Sequence, residues 1–303
     1  WSPHTSAVFL LAEAVAFPGI VGGPARLIVA LEAACRRFGV ELRTDSRVSA
    51  IRVAGRGVEG VTLASGESID CACVALAIEP KATLLGLLPR TTLSPGSAGQ
   101  AAAWRTRGIL AKIDLGLSEP LRFDARPELR TTHVQIGETL LALEEAFEST
   151  KYGLAAPRPH LDIYIPTVED PSLAPAGHEV VSILVRGIPY ALEGGWTDAA
   201  RARVVQTVVD ELARHATTLP KAIVAARALT PDQLEVEFGA TGGHLFHGEH
   251  ALDQLFSFRP TASMAHYGTP VDGLFLCGSG SHPGGGITCA PGALAARVIR
   301  AAL

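Results

Sequence analysis

Apolar and polar positions alternate with a period of two over residues 47–78: Val48 and Ala50 oppose Ile51 and Val53, Val58, Val61 and Leu63 follow, and Ile69, Cys71 and Cys73 close the run. Gly55-Arg56-Gly57 and Ser65-Gly66-Glu67 punctuate it. Glycine-centred breaks between alternating runs are hairpin signals, so the pattern predicts a three-stranded meander. Its continuation, Val74-Ala75-Leu76-Ala77-Ile78, is apolar at every position and ends at Glu79-Pro80. Such a run suits a strand buried on both faces of a parallel sheet.

Elsewhere the period is helical. Residues 5–17 predict one helix, and Pro18-Gly19 through Gly22-Gly23-Pro24 break the chain before a second, in which Leu27, Leu31, Ala34 and Phe38 recur and Gly39 supplies the stop. Residues 40–43 then read as a strand. Over residues 91–260 the pattern mixes strands near 109–117, 131–136, 161–165 and 180–186 with helices near 138–150 and 197–215. Thr197 is a fitting N-cap, and Val204, Val208 and Leu212 make the stripe that faces a sheet. Last come a short apolar strand, Leu274-Phe275-Leu276-Cys277, a glycine-rich loop, and helical spacing from Ile287 to Leu303.

A chain of 303 residues that is 48% hydrophobic can build a substantial core. With 26 basic against 30 acidic residues the net charge is −4, which leaves no electrostatic footprint for nucleic acid. Five cysteines without C-x-x-C spacing suggest neither a disulfide framework nor a zinc site, and fit a reducing, cytoplasmic setting. The apolar stretch Phe9–Phe17 contains Glu13 and is too short to span a bilayer, so no transmembrane segment is expected, although an upstream targeting sequence stays open.

Candidate chemistry concentrates in the loop after Cys277. Gly278, Ser279 and Gly280 form a tight exit from the strand, and His282, Pro283, Gly284, Gly285 and Gly286 form a loop whose backbone can approach a ligand closely. The helix behind it would direct free N–H groups and a positive dipole end at an anion or an electron-rich ring. A second concentration is His244-Leu245-Phe246-His247-Gly248-Glu249-His250 with Asp253. Its spacing tempts a metal reading, but Gly242-Gly243 and Gly248 argue for an irregular loop, and no metal site is assigned.

The segment of residues 274–292, LFLCGSGSHPGGGITCAPG, resembles the C-terminal FAD motif of phytoene-dehydrogenase-like flavoproteins within the wider amine-oxidase group. It is most like the pyridine nucleotide-disulfide oxidoreductase domain-containing branch. Residues 19–42, 165–190 and 229–260 resemble that branch in order and spacing, so nearly the whole chain is covered. The resemblance implies an α/β fold with an α+β insertion: an incomplete Rossmann-like FAD-binding domain carrying an inserted mixed-sheet substrate domain. The expected segments are residues 1–90 (partial FAD-binding domain with the meander), 91–260 (substrate domain) and 261–303 (C-terminal FAD motif and helix).

It also implies site roles. Val48, Gly22, Gly23, Gly278, Ser279, Gly280, Gly284, Gly285, Gly286, Ile287 and Thr288 would bind FAD, His244 and Phe246 would line the substrate side, and His247 and His282 would orient substrate, shuttle a proton or touch the flavin edge. Relatives often place an acidic residue near the ribityl chain where this sequence has Ser279. The family's opening G-x-G-x-x-G turn, which holds the pyrophosphate, does not occur in these residues. A further polypeptide or segment is therefore expected to supply that βαβ unit, making the chain part of a hetero-oligomeric or longer oxidoreductase that moves hydride from a small apolar substrate to flavin. Two rivals stand beside it: a scaffold subunit that has lost the nucleotide, and an amine oxidase, for which no aromatic cage can be picked out.

Overall fold

A computed structural model describes residues 20–137 and 139–303. The helix expected over residues 5–17 lies outside the described residues, as does Glu138. Strands follow one another as β1 (Val48–Ala54), β2 (Gly57–Leu63), β3 (Ser68–Asp70), β4 (Val74–Leu76), β5 (Leu110–Leu117), β6 (His133–Ile136), β7 (His160–Tyr164), β8 (Glu179–Arg186), β9 (Ile223–Leu229) and β10 (Leu274–Leu276). They form a β1-β2-β3 sheet, a parallel β10-β4 pair and a five-stranded sheet of order β6-β7-β8-β5-β9. The chain has a mixed α/β architecture with a Rossmann-like sheet core and additional sheets.

Two compact units emerge. The first contains Arg43–Arg107 and Gly239–Leu303, and the second contains residues 20–42 and Gly108–Phe238. These divisions differ from the expected segments: residues 91–107 and 239–260 sit with the first unit, and the helix Ala25–Arg37 sits with the second. Packing of Trp104, Arg105 and Arg259 among the loops of residues 244–254 and 278–286 ties those stretches to the first unit.

The second unit is built by alternation. Ala111, Ile113, Leu115 and Leu117 of β5 face inward, as do Val181, Ile183 and Val185 of β8, and the antiparallel register sets Ile113 against Ile183. The helix Asp198–Ala213 closes that face with Val204, Val208 and Leu212. Thr197 caps it as expected, its side chain accepting from the Ala200 N–H at 3.1 Å. The helix Ala25–Arg37 buries none of its residues, and Ile28 and Val29 are 64% and 57% exposed.

In the first unit the meander forms as predicted, β1 pairing with β2 and β2 with β3, both antiparallel. The next strand departs from expectation. It spans only Val74–Leu76, and Ala75 and Ile78 are exposed, because β10 is its one partner strand among the described residues. β10 itself is buried throughout. Residues 40–43 form no strand: Val40 and Leu42 are exposed, and no ladder joins this stretch to a described strand. The last helix begins at Ala290 and not at Ile287, because Cys289 before it is left-handed (φ 56°) and Pro291 occupies the first turn.

Candidate functional site

The glycine loop leaves β10 beside the end of β4, with the Cys277 N–H donating to the Leu76 carbonyl at 2.9 Å. Its glycines are required by close packing within the chain. A Cβ at Gly278 would lie 2.1 Å from the Ala77 oxygen, one at Gly280 2.3 Å from the Pro80 ring, and one at Gly285 2.0 Å from Phe246 Cδ1. Gly285 therefore faces an aromatic ring of the chain itself, not the bare approach path that glycine density suggests. Gly284 and Gly286 have φ of 115° and 116°, a region that side chains disfavour.

The loop carrying the histidines packs directly against this one. Phe246 stacks on His250 with centroids 4.9 Å apart and an interplanar angle of 14°, and tilts against His244 at 6.3 Å. His244 Nδ1 accepts from the Phe246 N–H at 3.3 Å. His250 Nε2 comes within 3.2 Å of the Cβ position of Gly284, and the His247 carbonyl within 3.4 Å of that of Gly280. The sequence-named residues His244, Phe246, His247, Gly280, Gly284 and Gly285 thus gather into one neighbourhood.

Electrostatics there favour neutral imidazoles. Burial pushes His244 down to about 4; Glu249 opposes this, and Arg259 and His247 add to it. Burial, then Arg259 and His244, takes His250 to about 4 as well. His247 is lowered by burial and by Arg259. Glu249 is penalised by burial but held below its ordinary range by hydrogen bonds from Arg107 and Arg105.

Four buried polar atoms around the two loops have no hydrogen-bond partner among the described residues: His247 Nδ1, His250 Nε2, Ser281 Oγ and His282 Nδ1. Buried polar groups are normally paired, and each unpaired one costs about 1–3 kcal/mol. They cluster beside the glycine loop, and a ring with both donors and acceptors has the chemistry to pair with them. Among the described residues no group of three or more His, Cys, Asp or Glu is placed to hold a metal ion.

The remaining named residues make other contacts. Val48 opens β1 opposite Leu63. Ile287 is exposed, and Thr288 accepts from the Ala290 N–H at 3.2 Å, capping the helix start. Gly22 and Gly23 belong to the second unit, where the Gly22 N–H donates to Asp170 Oδ2 at 2.6 Å and both residues have positive φ. A cavity of about 180 Å³ in the second unit, lined by His160, Ser149 and Glu211, contains none of the named residues.

Sequence reasoning missed Arg259, which is wholly buried and donates from its Nε and Nη2 to the Ser279 carbonyl at 3.1 and 2.7 Å. It missed Trp104 as well, whose ring lies 5.2 Å from that guanidinium. One signal was present: an arginine between apolar Phe258 and Pro260, with no acidic neighbour in sequence before Asp253 or after it until Asp272.

No protein-family model matches the chain. A rat protein called pyridine nucleotide-disulfide oxidoreductase domain-containing protein 2 is 33% identical over 293 residues, covering 92% of this chain and 50% of the relative. A lycopene-forming phytoene desaturase from a Paracoccus strain is 26% identical, covering 93% and 55%. The solved structure of an oxidoreductase from Methanosarcina mazei superposes with a TM-score of 0.54 at 16% identity, over 93% of this chain and 55% of that one, a likeness of fold alone. The chain spans about half the length of the curated relatives it matches.

Proposed function

We propose that the chain belongs to the amine-oxidase/phytoene-desaturase superfamily of FAD-dependent oxidoreductases and forms the flavin-facing and substrate-facing part of a dehydrogenase acting on a small apolar organic compound. The cluster of unpaired buried atoms at His247, His250, Ser281 and His282 carries this reading. The glycine loop, with Ser279 and the helix start at Ala290 behind it, would hold the ribityl side of FAD.

When bound, the flavin would supply the acceptor for one hydride, which carries both electrons away from a substrate C–H bond. The chain's own residues position and exclude. Phe246 and its stacking partner His250 wall the site against water, and His247, uncharged at neutral pH because burial lowers it, can take the proton that leaves the substrate with the hydride. An apolar substrate agrees with the name of the phytoene desaturase relative.

A partner polypeptide or segment would provide the pyrophosphate-binding βαβ unit. Two features support this: the exposed apolar residues of the helix Ala25–Arg37, and a parallel pair of only two strands, β4 and β10. No helix among the described residues is long and apolar enough to cross a membrane.

The test is an absorption spectrum of native assembled material, with each co-purifying chain identified. Oxidised-flavin bands, bleached on adding a hydride donor, are expected, together with weak FAD binding by this chain alone. An assembly without flavin would favour the scaffold reading.

A further inference from the structure

We propose that Arg259 is the positioning residue of this site, fastening the glycine loop to the histidine loop through one buried guanidinium. The inference rests on the flavin-facing reading above. Arg259 is 0% exposed, and its hydrogen bonds go to main-chain carbonyls. Nε and Nη2 reach Ser279 in the glycine loop at 3.1 and 2.7 Å. Nη2 also reaches Phe246 at 2.7 Å and Gly248 at 3.4 Å, while Nη1 reaches Glu249 at 3.2 Å and Gln254 at 3.1 Å. The Trp104 ring lies 5.2 Å from the guanidinium carbon, and its Nε1 donates to the His247 carbonyl at 3.0 Å.

Where packing alone is needed, an apolar side chain fills a core at less cost than a desolvated cation. What only arginine offers is a rigid planar fork of five donors, able to hold two separate loops at once. Here one edge of the fork takes the carbonyl of Ser279, and the rest spans residues 246–254. The loop bearing the unpaired Ser281 and His282 atoms is thereby registered against the loop bearing His247 and His250. The charge persists at neutral pH, since burial takes Arg259 down only to about 10. It contributes to the lowered values of His244, His247 and His250, so one residue sets both the spacing of the loops and the neutral state of their imidazoles.

Arg259→Lys and Arg259→Gln separate these effects. Lysine keeps the charge without the fork, and glutamine keeps a short donor without the charge. In the assembled enzyme both variants are expected to lose flavin retention about tenfold or more. In the chain itself, amide hydrogen exchange over residues 246–254 and 278–286 should accelerate together in both variants, while β5, β7 and β8 exchange as in the parent. Histidine titration by NMR should then split the pair, with His244 and His250 titrating at higher pH in Arg259→Gln than in Arg259→Lys, where the charge is kept.

Parent-like exchange over residues 278–286 in a folded variant overturns the proposal, as does unchanged flavin retention. If Arg259→Gln gives no cooperative melt, Arg259→Lys alone decides: joint acceleration in both loops supports the role, and acceleration confined to residues next to position 259 refutes it. A parent assembly without flavin would fail the functional reading, while the exchange data would still report on Arg259.

Discussion

In the second unit Ile113, Ile163, Ile183 and Val185 are sealed from solvent against one another and against Val208 and Leu212, with no polar atom to satisfy. In the first unit the largest fully buried side chain is Arg259, and around it His247, His250, Ser281 and His282 keep polar atoms without partners among the described residues. The first interior follows from alternation on β5 and β8, and the carboxylates buried at its edge are paired, Glu179 with Arg130 and the Leu121 N–H, Glu211 with Arg158 and Arg214. The second carries a desolvated cation, held by main-chain carbonyls, and imidazole nitrogens with no partner among the described residues. The difference teaches where to look for function: the second interior keeps polar atoms that the described residues leave without partners, and under the proposed function flavin and substrate would meet them.

The sharpest break of this comparison lies in the sealed interior. Ile183→Ala removes buried methyl groups at the centre of β8, opposite Ile113 on β5, and is expected to cost about 2–5 kcal/mol in denaturant unfolding. Loss of less than about 1 kcal/mol would mean that this core is loosely packed and the contrast is overstated.

Acid should act next, and in the first unit. His244 and His250 are each held near 4 against an ordinary value of 6.5, so the unfolded chain binds more protons between those limits. Their contribution is fully present above pH 6.5 and is lost as pH falls from 6.5 toward 4. A full displacement of that size is at most about 3 kcal/mol per ring, and the rings' partial exposure trims the expected loss to about 2 kcal/mol. Glu79, raised by burial, works in the opposite direction. Unfolding measured across this range in the parent and in the His244→Gln/His250→Gln pair should show a flatter profile in the variant; identical profiles would remove the histidines from the account.

How far the sequence announced each interior follows from the same contrast. The meander, β5, β8 and the Thr197-capped helix were legible because period and capping are local. The glycine loop after β10 was legible too, but not the reasons for its glycines: Phe246 meets Gly285 from 39 positions away, and Pro80 meets Gly280 from 200. Arg259 was opaque for the same cause. Its acceptors are carbonyls, which every residue has, so no side-chain pattern betrays them. The late start of the last helix and the expected strand over residues 40–43 failed through a left-handed Cys289 and the lack of a strand ladder at those residues, both invisible to periodicity.

Gly285→Ala tests the seam between the two loops. The added Cβ would meet Phe246 Cδ1 at 2.0 Å, and overpacking of this kind costs about 1–3 kcal/mol. Unfolding of the first unit should weaken accordingly and flavin content of the assembly should drop. Phe246→Ala in the same chain should recover part of the stability, giving a coupling of about 1 kcal/mol in the double-mutant cycle. Strictly additive costs would show that the ring and the glycine do not share the space.

The smallest stability effect is expected where the functional effect is large. His247→Leu removes a buried Nδ1 that has no partner among the described residues, and that gain offsets the strain of leucine at φ 54°, so stability should stay within about 1 kcal/mol of the parent. A residue kept for packing would behave like Ile183 and lose several times that. If His247 takes the proton released by the substrate, kcat/KM of the assembled enzyme should fall by about 10²- to 10⁴-fold in the same variant. In the parent the acid limb of kcat/KM should lie below 6.5, because burial and Arg259 both lower this imidazole and the base is lost only when it protonates. A His247→Leu variant that is markedly destabilised yet turns over normally would reverse the comparison, assigning this histidine to the structure and leaving the proton to another group.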